Sequence, residues 1–392
     1  MKTEQHPVYN LRFGLICLSS LFFSASYNML IPELPSYLSS LGGAEYKGLI
    51  ISLFTLTAGL SRPFSGKLAD SIGRKPVMIV GTLVCVVCGL LYPVLGTVIG
   101  FLLLRLFHGF STGFTPTAIS AYVSDIIPPK RWGEALGFQG LFFSTGLALG
   151  PALGSLIKSY YSFSILFYCS SIIGVLAFVL MGKVSETLSN KETFSFSILK
   201  ISKRDIIAPE VLAPACIVLL SYLSFGVILT IIPDWSDFVG VSNKGLFFIV
   251  FTISSLSIRF VAGKISDIHG RVPVIIIGLI VLLVSLIVIG YYHTVLGLMV
   301  GAAIYGLAMG ILSPALNAWT IDMSIPNQKG KAIATMYIAL EIGIGFGALC
   351  SGWYFQNTII NVPTIFYTCS IITMIAIAFM LFRAAKQMKI SK

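Results

Sequence analysis

The chain has 392 residues, of which 56% are hydrophobic and only 10% carry a charge. A soluble protein of this length would expose far more charge, so the composition excludes an ordinary water-soluble fold and indicates a membrane protein. Lysine and arginine outnumber aspartate and glutamate by 26 to 15, which gives a net charge of +11. These basic residues are spread over short loops, which argues against a nucleic-acid-binding surface.

Twelve apolar segments, each long enough to span a bilayer, follow one another along the chain. Backbone groups in hydrocarbon must bond internally, so each span is predicted to be a helix and the protein to be an all-α membrane protein. In the first half the predicted spans are 11–37, 46–67, 77–96, 98–124, 135–157 and 162–183. In the second half they are 209–232, 244–263, 274–292, 295–320, 332–353 and 360–383.

A polar stretch, 184–208, is the predicted linker between an N-terminal bundle, 1–183, and a C-terminal bundle, 209–392. A short helix lying on the membrane surface is one structure that this stretch could adopt. Its basic residues are Lys191, Lys200, Lys203 and Arg204.

The basic residues also predict the orientation of the chain. Placing both termini in the cytoplasm puts 20 of the 26 basic residues on that side and leaves only Lys47, Lys158 and Lys244 outside. Short loops rich in lysine and arginine remain on the cytoplasmic side of a membrane. We therefore expect a multi-pass protein of a bacterial inner membrane with both termini in the cytoplasm.

The sequence GKLADSIGRKP at 66–76 recurs as GKISDIHGRVP at 263–273. The register continues downstream, where Asp125 corresponds to Asp322. A duplicated half, with a charged glycine loop between apolar segments, is typical of a membrane transporter built from two similar domains.

The first loop resembles the signature loop of the major facilitator superfamily, which reads Gly-x-Leu-Ala-Asp-Arg-x-Gly-Arg-Lys. It departs from that pattern at Ser71, where the family often has a basic residue. The resemblance implies twelve transmembrane helices in two pseudo-symmetric six-helix bundles. It also implies a conformational latch, a charge relay that holds the outward-open state; the alternative is that the charges only fix the topology. The predicted latch residues are Gly66, Asp70, Gly73, Arg74 and Asp125, with Asp267, Arg271 and Asp322 in the second copy.

The fifth predicted span contains small residues in the spacing G-x8-G-x3-G-P-x2-G. This pattern resembles the antiporter motif of the drug:proton antiporters in the superfamily, although Ser155 replaces a second final glycine. Small residues four apart let helices approach closely. We expect these residues to approach the eleventh span, in the opposite half, and to help seal the transport path; helix packing alone is the alternative. They are Gly137, Gly146, Gly150, Pro151 and Gly154.

Four residues are predicted to couple transport to protons. Arg105 and His108 of the fourth span resemble the R-x-x-Q-G motif of the same exporters, with histidine in place of glutamine. In the family this arginine helps proton coupling, and a buried arginine needs a partner, for which Glu33 is at a comparable depth. Glu341 is a lone carboxylate in the middle of the eleventh span and is the predicted proton carrier. The alternatives are structural: helix anchoring for the arginine, and hydrogen bonding to Tyr337 or a neighbouring helix for the glutamate.

The superfamily fold would place spans one, four, seven and ten around a central cavity. Polar and aromatic side chains near mid-membrane describe an amphipathic site that suits a lipophilic or weakly cationic solute. For the aromatic residues among them, core filling is the alternative. The predicted substrate-binding residues are Tyr27, Asn28, Thr112, Gln139, Phe142, Tyr222, Tyr305, Asn317 and Tyr337.

The sequence has no phosphate-binding G-x4-GK[ST] loop and no His/Cys cluster, and Cys85 and Cys88 are expected to pack as small apolar side chains. We therefore expect no enzyme activity, no cofactor, no metal and no nucleic-acid partner. The predicted function is secondary active transport by alternating access. Its most favoured form is proton-coupled export of drugs or small amphipathic metabolites by a monomer in the lipid bilayer. The alternative is a facilitator or symporter for sugars, lipids or other metabolites, without drug specificity.

Overall fold

The computed structural model describes residues 10–128, 131–188, 191–200, 207–325 and 329–390. Within these ranges the chain is helical and has no β-strand. The predicted all-α class is therefore confirmed, and the reason is that each apolar segment closes its backbone hydrogen bonds within one helix. Lys203 and Arg204 of the predicted linker lie outside the described residues.

In the described part of the chain, seven α-helices precede the linker and six follow it. The first seven are α1 (Leu11–Asn28), α2 (Leu34–Ser40), α3 (Lys47–Ile72), α4 (Arg74–Leu91), α5 (Val98–Ile126), α6 (Trp132–Tyr160) and α7 (Phe163–Lys183). The other six are α8 (Leu212–Val239), α9 (Leu246–His269), α10 (Arg271–Tyr291), α11 (Val295–Met323), α12 (Lys329–Phe355) and α13 (Val362–Ile390).

Short polar side chains and glycines mark the ends of these helices. Asn10, Thr97 and Thr294 each accept a backbone N–H of the first turn that follows, which would otherwise have no partner. Gly73 separates α3 from α4 with a φ of +122°, and Gly270 separates α9 from α10 with a φ of +88°. Side chains other than glycine rarely adopt such angles, so the repeated loop is a one-residue break that requires glycine.

Nine of the described helices are long and apolar enough to cross a membrane. A tenth candidate is α9, which is bent by 43° between Leu246–Arg259 and Val261–His269. Helices α1 and α3 have 18 and 26 residues but are not among the nine. The prediction of a multi-pass membrane protein is confirmed, whereas the count of twelve spans stays a prediction.

The chain divides into two compact units. Unit 1 contains Met1–Ile31 and Leu56–Ser202, and unit 2 contains Pro32–Thr55 and Lys203–Lys392. The predicted N-terminal bundle, 1–183, included the segment Pro32–Thr55, which instead groups with unit 2.

Charge pairing and close backbone contact hold the segment Pro32–Thr55 in unit 2. Lys47 Nζ lies 2.8 Å from Asp234 Oδ1 on α8. A Cβ added to Gly48 would come within 2.8 Å of the carbonyl oxygen of Ala348 on α12, so glycine permits this approach. Hydropathy along the sequence contains no signal for either contact, which explains the difference from the predicted boundary.

The apolar core of unit 1 lies between α1, α4 and α5 and extends to the linker. Phe23, Met78 and Tyr122 are fully buried in it. Ile198 packs against them from a single 3₁₀ turn, Phe196–Leu199, which is the regular structure in the described part of the linker. Part of the linker is therefore bound to unit 1.

Candidate functional site

The first repeated loop brings its arginine against two acids from different helices. Arg74, the first residue of α4, has Nη1 at 3.1 Å from Asp70 Oδ1, and its Nε donates to Asp125 Oδ2 over 2.9 Å. Asp70, on α3, is 73% exposed, whereas Asp125, at the end of α5, is 29% exposed. Because solvent weakens exposed ion pairs, the contact with Asp125 is the stronger of the two. The structure thus brings the charged residues of the predicted first latch together.

The second loop repeats this arrangement in unit 2. Arg271 pairs with Asp267 one turn earlier, and its Nε donates to Asp322 Oδ2 over 2.8 Å. Asp267 corresponds to Asp70 and Asp322 to Asp125 in the sequence repeat. The duplicated sequence therefore produces a duplicated charge geometry.

Three glycines of the antiporter-like pattern lie against α1 of their own unit. A Cβ added to Gly150 would come within 2.8 Å of the Ala25 carbonyl oxygen, and one at Gly146 or Gly154 would overlap the α1 backbone. The expected approach of these glycines to the eleventh span is therefore wrong, since their neighbour is the first span. The four-residue spacing lets successive turns of α6 lie on successive turns of α1. We call this contact the α1–α6 seam.

Unit 2 contains the equivalent seam between α8 and α12. A Cβ added to Gly343 or Gly347 would overlap carbonyl oxygens of α8, and Gly226 on α8 approaches the α12 backbone just as closely. In the sequence repeat, Gly146 corresponds to Gly343 and Gly150 to Gly347. In each unit, therefore, glycines of the fifth long helix lie directly against the backbone of the first.

Two predicted glycines have open surroundings instead. A Cβ added to Gly66 or Gly137 would contact no described atom within 4 Å. Gly66 therefore makes no close contact with a described backbone, and Gly137 does not share the seam contacts of the other motif glycines.

A chain of polar side chains crosses the interior of unit 1. Arg105 is 1% exposed, and its Nη1 donates to Tyr92 Oη over 3.4 Å. Tyr92 Oη lies 3.1 Å from His108 Nδ1, and His108 Nε2 lies 3.2 Å from Cys85 Sγ. Cys85 Sγ lies 3.6 Å from Ser26 Oγ. We call these five residues the buried polar chain.

The hydrogen bonds of the buried polar chain have one consistent direction. Arginine only donates, so Tyr92 accepts from Arg105 and directs its own proton to His108 Nδ1. The neutral imidazole then has its proton on Nε2 and donates to Cys85. Ser26 in turn donates to a backbone carbonyl of α7 over 2.8 Å. Each of the middle groups both donates and accepts, which is the property that a proton relay requires.

The acids predicted to carry protons have different surroundings. Glu341 is 8% exposed in the middle of α12, and Glu33 is buried immediately before α2. Glu33 belongs to unit 2 and its predicted partner, Arg105, to unit 1, so their pairing stays a prediction.

Two other outer acids are in ion pairs within unit 2. Lys47 Nζ lies 2.8 Å from Asp234 Oδ1, and Lys244 Nζ lies 2.8 Å from Asp237 Oδ2. These pairs link α8 to the start of α3 and to the loop before α9.

The predicted substrate-binding residues form two groups, one buried and one partly exposed. Gln139 is buried and donates to Ser20 Oγ over 2.9 Å, and Tyr305 is buried with Oη 2.9 Å from Ser224 Oγ. Asn28 and Thr112 are also buried and bond to carbonyls of their own helices. The partly exposed members are Tyr27, Phe142, Tyr222, Asn317 and Tyr337.

Comparison with known sequences decides the family. The profile described as Major Facilitator Superfamily matches residues 16–212 and 214–391, nearly the whole chain. The chain belongs to the Major Facilitator Superfamily. It is 29% identical over 365 residues to Multidrug resistance protein 2 of Bacillus subtilis, covering 88% of this chain and 89% of that protein. It is 26% identical over 354 residues to the multi-drug resistance efflux pump PmrA homolog of Lactococcus lactis, covering 84% of each.

Solved structures of the superfamily have the same fold. A D-xylose-proton symporter superposes with a TM-score of 0.78 at 15% identity, covering 94% of this chain and 96% of that chain. The human organic anion transporter MFSD10 superposes with a TM-score of 0.75 at 18% identity, covering 96% and 100%. At these identities the likeness establishes the fold alone. Family membership and the similar transporters identify this protein as a transporter and not an enzyme.

The sequence repeat accounts for the duplicated arginine–acid clusters but does not reveal the buried polar chain. The prediction that Cys85 is only a small apolar packing group is wrong, because its sulfur lies within hydrogen-bonding distance of His108. Tyr92, Cys85 and Ser26 lie in no motif of the sequence. A signal that could have found them is their position on α4 and α1 at the depth of Arg105, because a buried arginine requires polar neighbours.

Proposed function

We propose that the protein exports small amphipathic molecules, including drugs, in exchange for protons and by alternating access. The observation that carries the proposal is the α1–α6 seam. Three glycines on α6 bring this helix close to the backbone of α1, the helix that carries Tyr27 and Asn28. Movement of α6 is therefore transmitted to predicted substrate residues. The two relatives named as a multidrug resistance protein and an efflux pump support the same class of substrate.

Proton coupling is assigned to the buried polar chain, Glu341 and Glu33. In the chain that runs from Arg105 through His108, a proton that arrives at one group reorients the hydrogen bonds of the others. Glu341 is a buried carboxylate in the middle of α12, and an acid inside a membrane span is a candidate for the group that carries a proton. Exchange of solute for protons requires such a group, exposed alternately to the two sides.

The substrate class follows from the chemistry of the predicted binding residues. All nine are aromatic, amide or hydroxyl side chains, and none has a full charge. Such a set binds apolar surface with a few hydrogen bonds and does not compensate several charges on a solute. This favours lipophilic or weakly cationic molecules.

The remaining assignments concern the conformational cycle and the setting. The two charge clusters around Arg74 and Arg271 are assigned to the latch, because each joins three helix ends through one arginine. The working unit is assigned as a monomer in a bacterial inner membrane, with both termini in the cytoplasm. The bias of basic residues supports this orientation.

Transport into everted membrane vesicles tests the proposal. With an acidic lumen, vesicles containing the protein are expected to accumulate a fluorescent lipophilic cation such as ethidium, and a proton ionophore should abolish the accumulation. Vesicles without the protein are the control. The protein would instead be a facilitator if it equilibrated a sugar or lipid independently of the pH gradient and did not accumulate the cation.

A further inference from the structure

The side chain of Glu186, just beyond the end of α7, caps the helix that follows the first latch loop. Its Oε1 accepts the backbone N–H of Arg74 over 3.1 Å, and its Oε2 accepts that of Lys75 over 3.0 Å. Both N–H groups belong to the first turn of α4, where no carbonyl of the helix can accept them. Gly73, the residue before the helix, provides no side chain for this purpose. A negative charge at this position also interacts favourably with the helix dipole.

The same carboxylate shapes the linker around itself. Its Oε1 accepts the N–H groups of Thr187 and Leu188 over 2.8 and 3.0 Å, so four backbone N–H groups converge on Glu186. Burial by itself raises the pKa of Glu186, but these four hydrogen bonds outweigh it and hold the pKa below its ordinary value. The group is therefore ionised at neutral pH.

Thr187 contacts the latch directly. Its Oγ1 donates to Asp125 Oδ2 over 2.6 Å, and this is the same oxygen that accepts from Arg74 Nε. Two residues before Thr187, the carbonyl of Ser185 accepts from Tyr122 Oη on α5 over 2.9 Å. The linker therefore contacts both α4 and α5, the two helices that the latch arginine joins.

The second loop provides an internal comparison. A Cβ added to Gly73 would overlap Glu186 Oε2, so the carboxylate can approach only because residue 73 is glycine. At Gly270, the nearest described atom to an added Cβ is Pro273 Cδ, 4.0 Å away, so no described side chain approaches this glycine as Glu186 approaches Gly73. Among the described residues, the first loop therefore has a close carboxylate neighbour that its duplicate does not have, and the linker supplies it.

We propose that Glu186 and Thr187 are positioning residues of the first latch, through which the linker sets how firmly Arg74 holds Asp125. The proposal rests on the role of the latch in the proposed function. Withdrawal of the linker from α4 would break the four N–H contacts and the Thr187 hydroxyl bond together. The backbone N–H of Arg74 would then lose its acceptor, Glu186, and Asp125 would lose the hydrogen bond that Thr187 donates to it.

Hydrogen exchange tests the cap independently of transport. In the purified full chain in lipid nanodiscs, Glu186→Gln is expected to speed exchange of the Arg74 and Lys75 amides about tenfold or more. Glutamine offers one acceptor oxygen and turns an NH₂ donor toward the N–H groups. Glu192→Gln, an exposed change in the same linker, is the matched control and should leave exchange unchanged. Equal exchange at these amides in wild type and Glu186→Gln would overturn the cap.

Kinetics test the positioning role with readouts that a merely structural defect would not separate. Glu186→Gln and Thr187→Val are expected to lower the maximal export rate about fivefold while leaving KM within about twofold of wild type. Thr187→Ser keeps the hydroxyl and is expected to restore the rate. Wild-type rates in both Glu186→Gln and Thr187→Val would contradict the role.

A measurement without substrate separates this proposal from the proposed function. With one spin label in each unit, Glu186→Gln is expected to shift the ratio of the distance populations, and Glu192→Gln is not. If wild type exports no lipophilic cation, the proposed function fails, and the label populations still decide the positioning role. Unshifted populations in Glu186→Gln would overturn it.

Discussion

Nε of Arg74 donates to Oδ2 of Asp125 over 2.9 Å and so joins the start of α4 to the end of α5. Unit 2 repeats the contact between Arg271 and Asp322 over 2.8 Å. The surroundings differ, because Asp125 also accepts from the Thr187 hydroxyl. The two latches therefore have one geometry but different support, and substitutions at matching positions should have unequal effects.

Asp125→Asn is expected to lower the maximal export rate about fivefold or more. The reason is that Asp125 accepts from Arg74 and Thr187 in a partly shielded position, whereas Asp70 is exposed and its ion pair contributes at most about 1 kcal/mol. Asp322→Asn is the matched change in the second loop and should be milder. The measurement is the initial rate in vesicles at saturating substrate. An effect of Asp70→Asn larger than that of Asp125→Asn would contradict this account of the latch.

Gly150→Leu is expected to abolish uphill export while leaving membrane insertion intact. A leucine at the α1–α6 seam would overlap the α1 backbone and cost about 1–3 kcal/mol or more in stability. Gly137→Leu, at the open position on the same helix, is the matched control and should retain both stability and export. The thermal midpoint of the purified protein and the accumulation in vesicles report the two effects. Normal uphill export by Gly150→Leu would remove the seam from the transport movement.

His108→Gln is expected to retain export but to flatten its dependence on pH. Glutamine both donates and accepts, so it can bond to Tyr92 and Cys85 as the imidazole does, but it does not titrate. His269→Gln changes an exposed histidine and serves as the control. The measurement is the export rate as a function of pH. An unchanged pH profile in His108→Gln would exclude His108 from proton coupling.

Glu341→Gln is expected to uncouple transport from protons. Exchange driven by solute alone should continue, because glutamine has nearly the same shape, whereas uphill export driven by a pH gradient should fail. Glu45→Gln, an exposed change, is the control. Counterflow and gradient-driven accumulation are measured in the same vesicles. Wild-type uphill export by Glu341→Gln would place the proton on Glu33 or His108.

The cap at Glu186 is expected to persist from neutral pH to below the ordinary carboxylate range. Hydrogen bonds lower the pKa of Glu186 in the folded state, so its contribution to stability is present above the unfolded value of about 4.3. That contribution is lost as the pH falls through the lower folded pKa. After correction for intrinsic rates, the Arg74 and Lys75 amides should therefore stay protected at pH 5 and above. Loss of protection between pH 7 and pH 5 would contradict the predicted direction of the pKa shift.

Local chemistry and the internal repeat made part of this structure predictable. The glycine breaks at Gly73 and Gly270 and the arginine–acid pairs around them could be expected from spacing, because these partners lie at helix ends of equal position in the two halves. The acid one turn before each arginine is a local relationship that a helix enforces. Sequence information of this kind was sufficient for the family and for the two arginine–acid clusters, whereas their role as a latch stays a prediction.

Long-range contacts were not predictable in the same way. The cap by Glu186 joins residues far apart in the chain. A single glutamate in a polar linker is normally expected to be a solvent-exposed charge. The predicted neighbour of Gly150 was wrong because glycines at four-residue spacing indicate that another helix approaches closely but not which one. The segment Pro32–Thr55 contacts unit 2 through pairs such as Lys47–Asp234, which no periodicity of the sequence reveals.

Proton movement during substrate transport is the most direct test of the central claim, proton-coupled export. The purified protein is reconstituted into liposomes that contain a pH-sensitive dye, with no gradient imposed, and a lipophilic cation is added outside. The account predicts that uptake of the cation drives protons out of the lumen, so that the lumen becomes alkaline, and that Glu341→Gln abolishes this signal. Uptake of the cation without any change in luminal pH would contradict proton-coupled exchange.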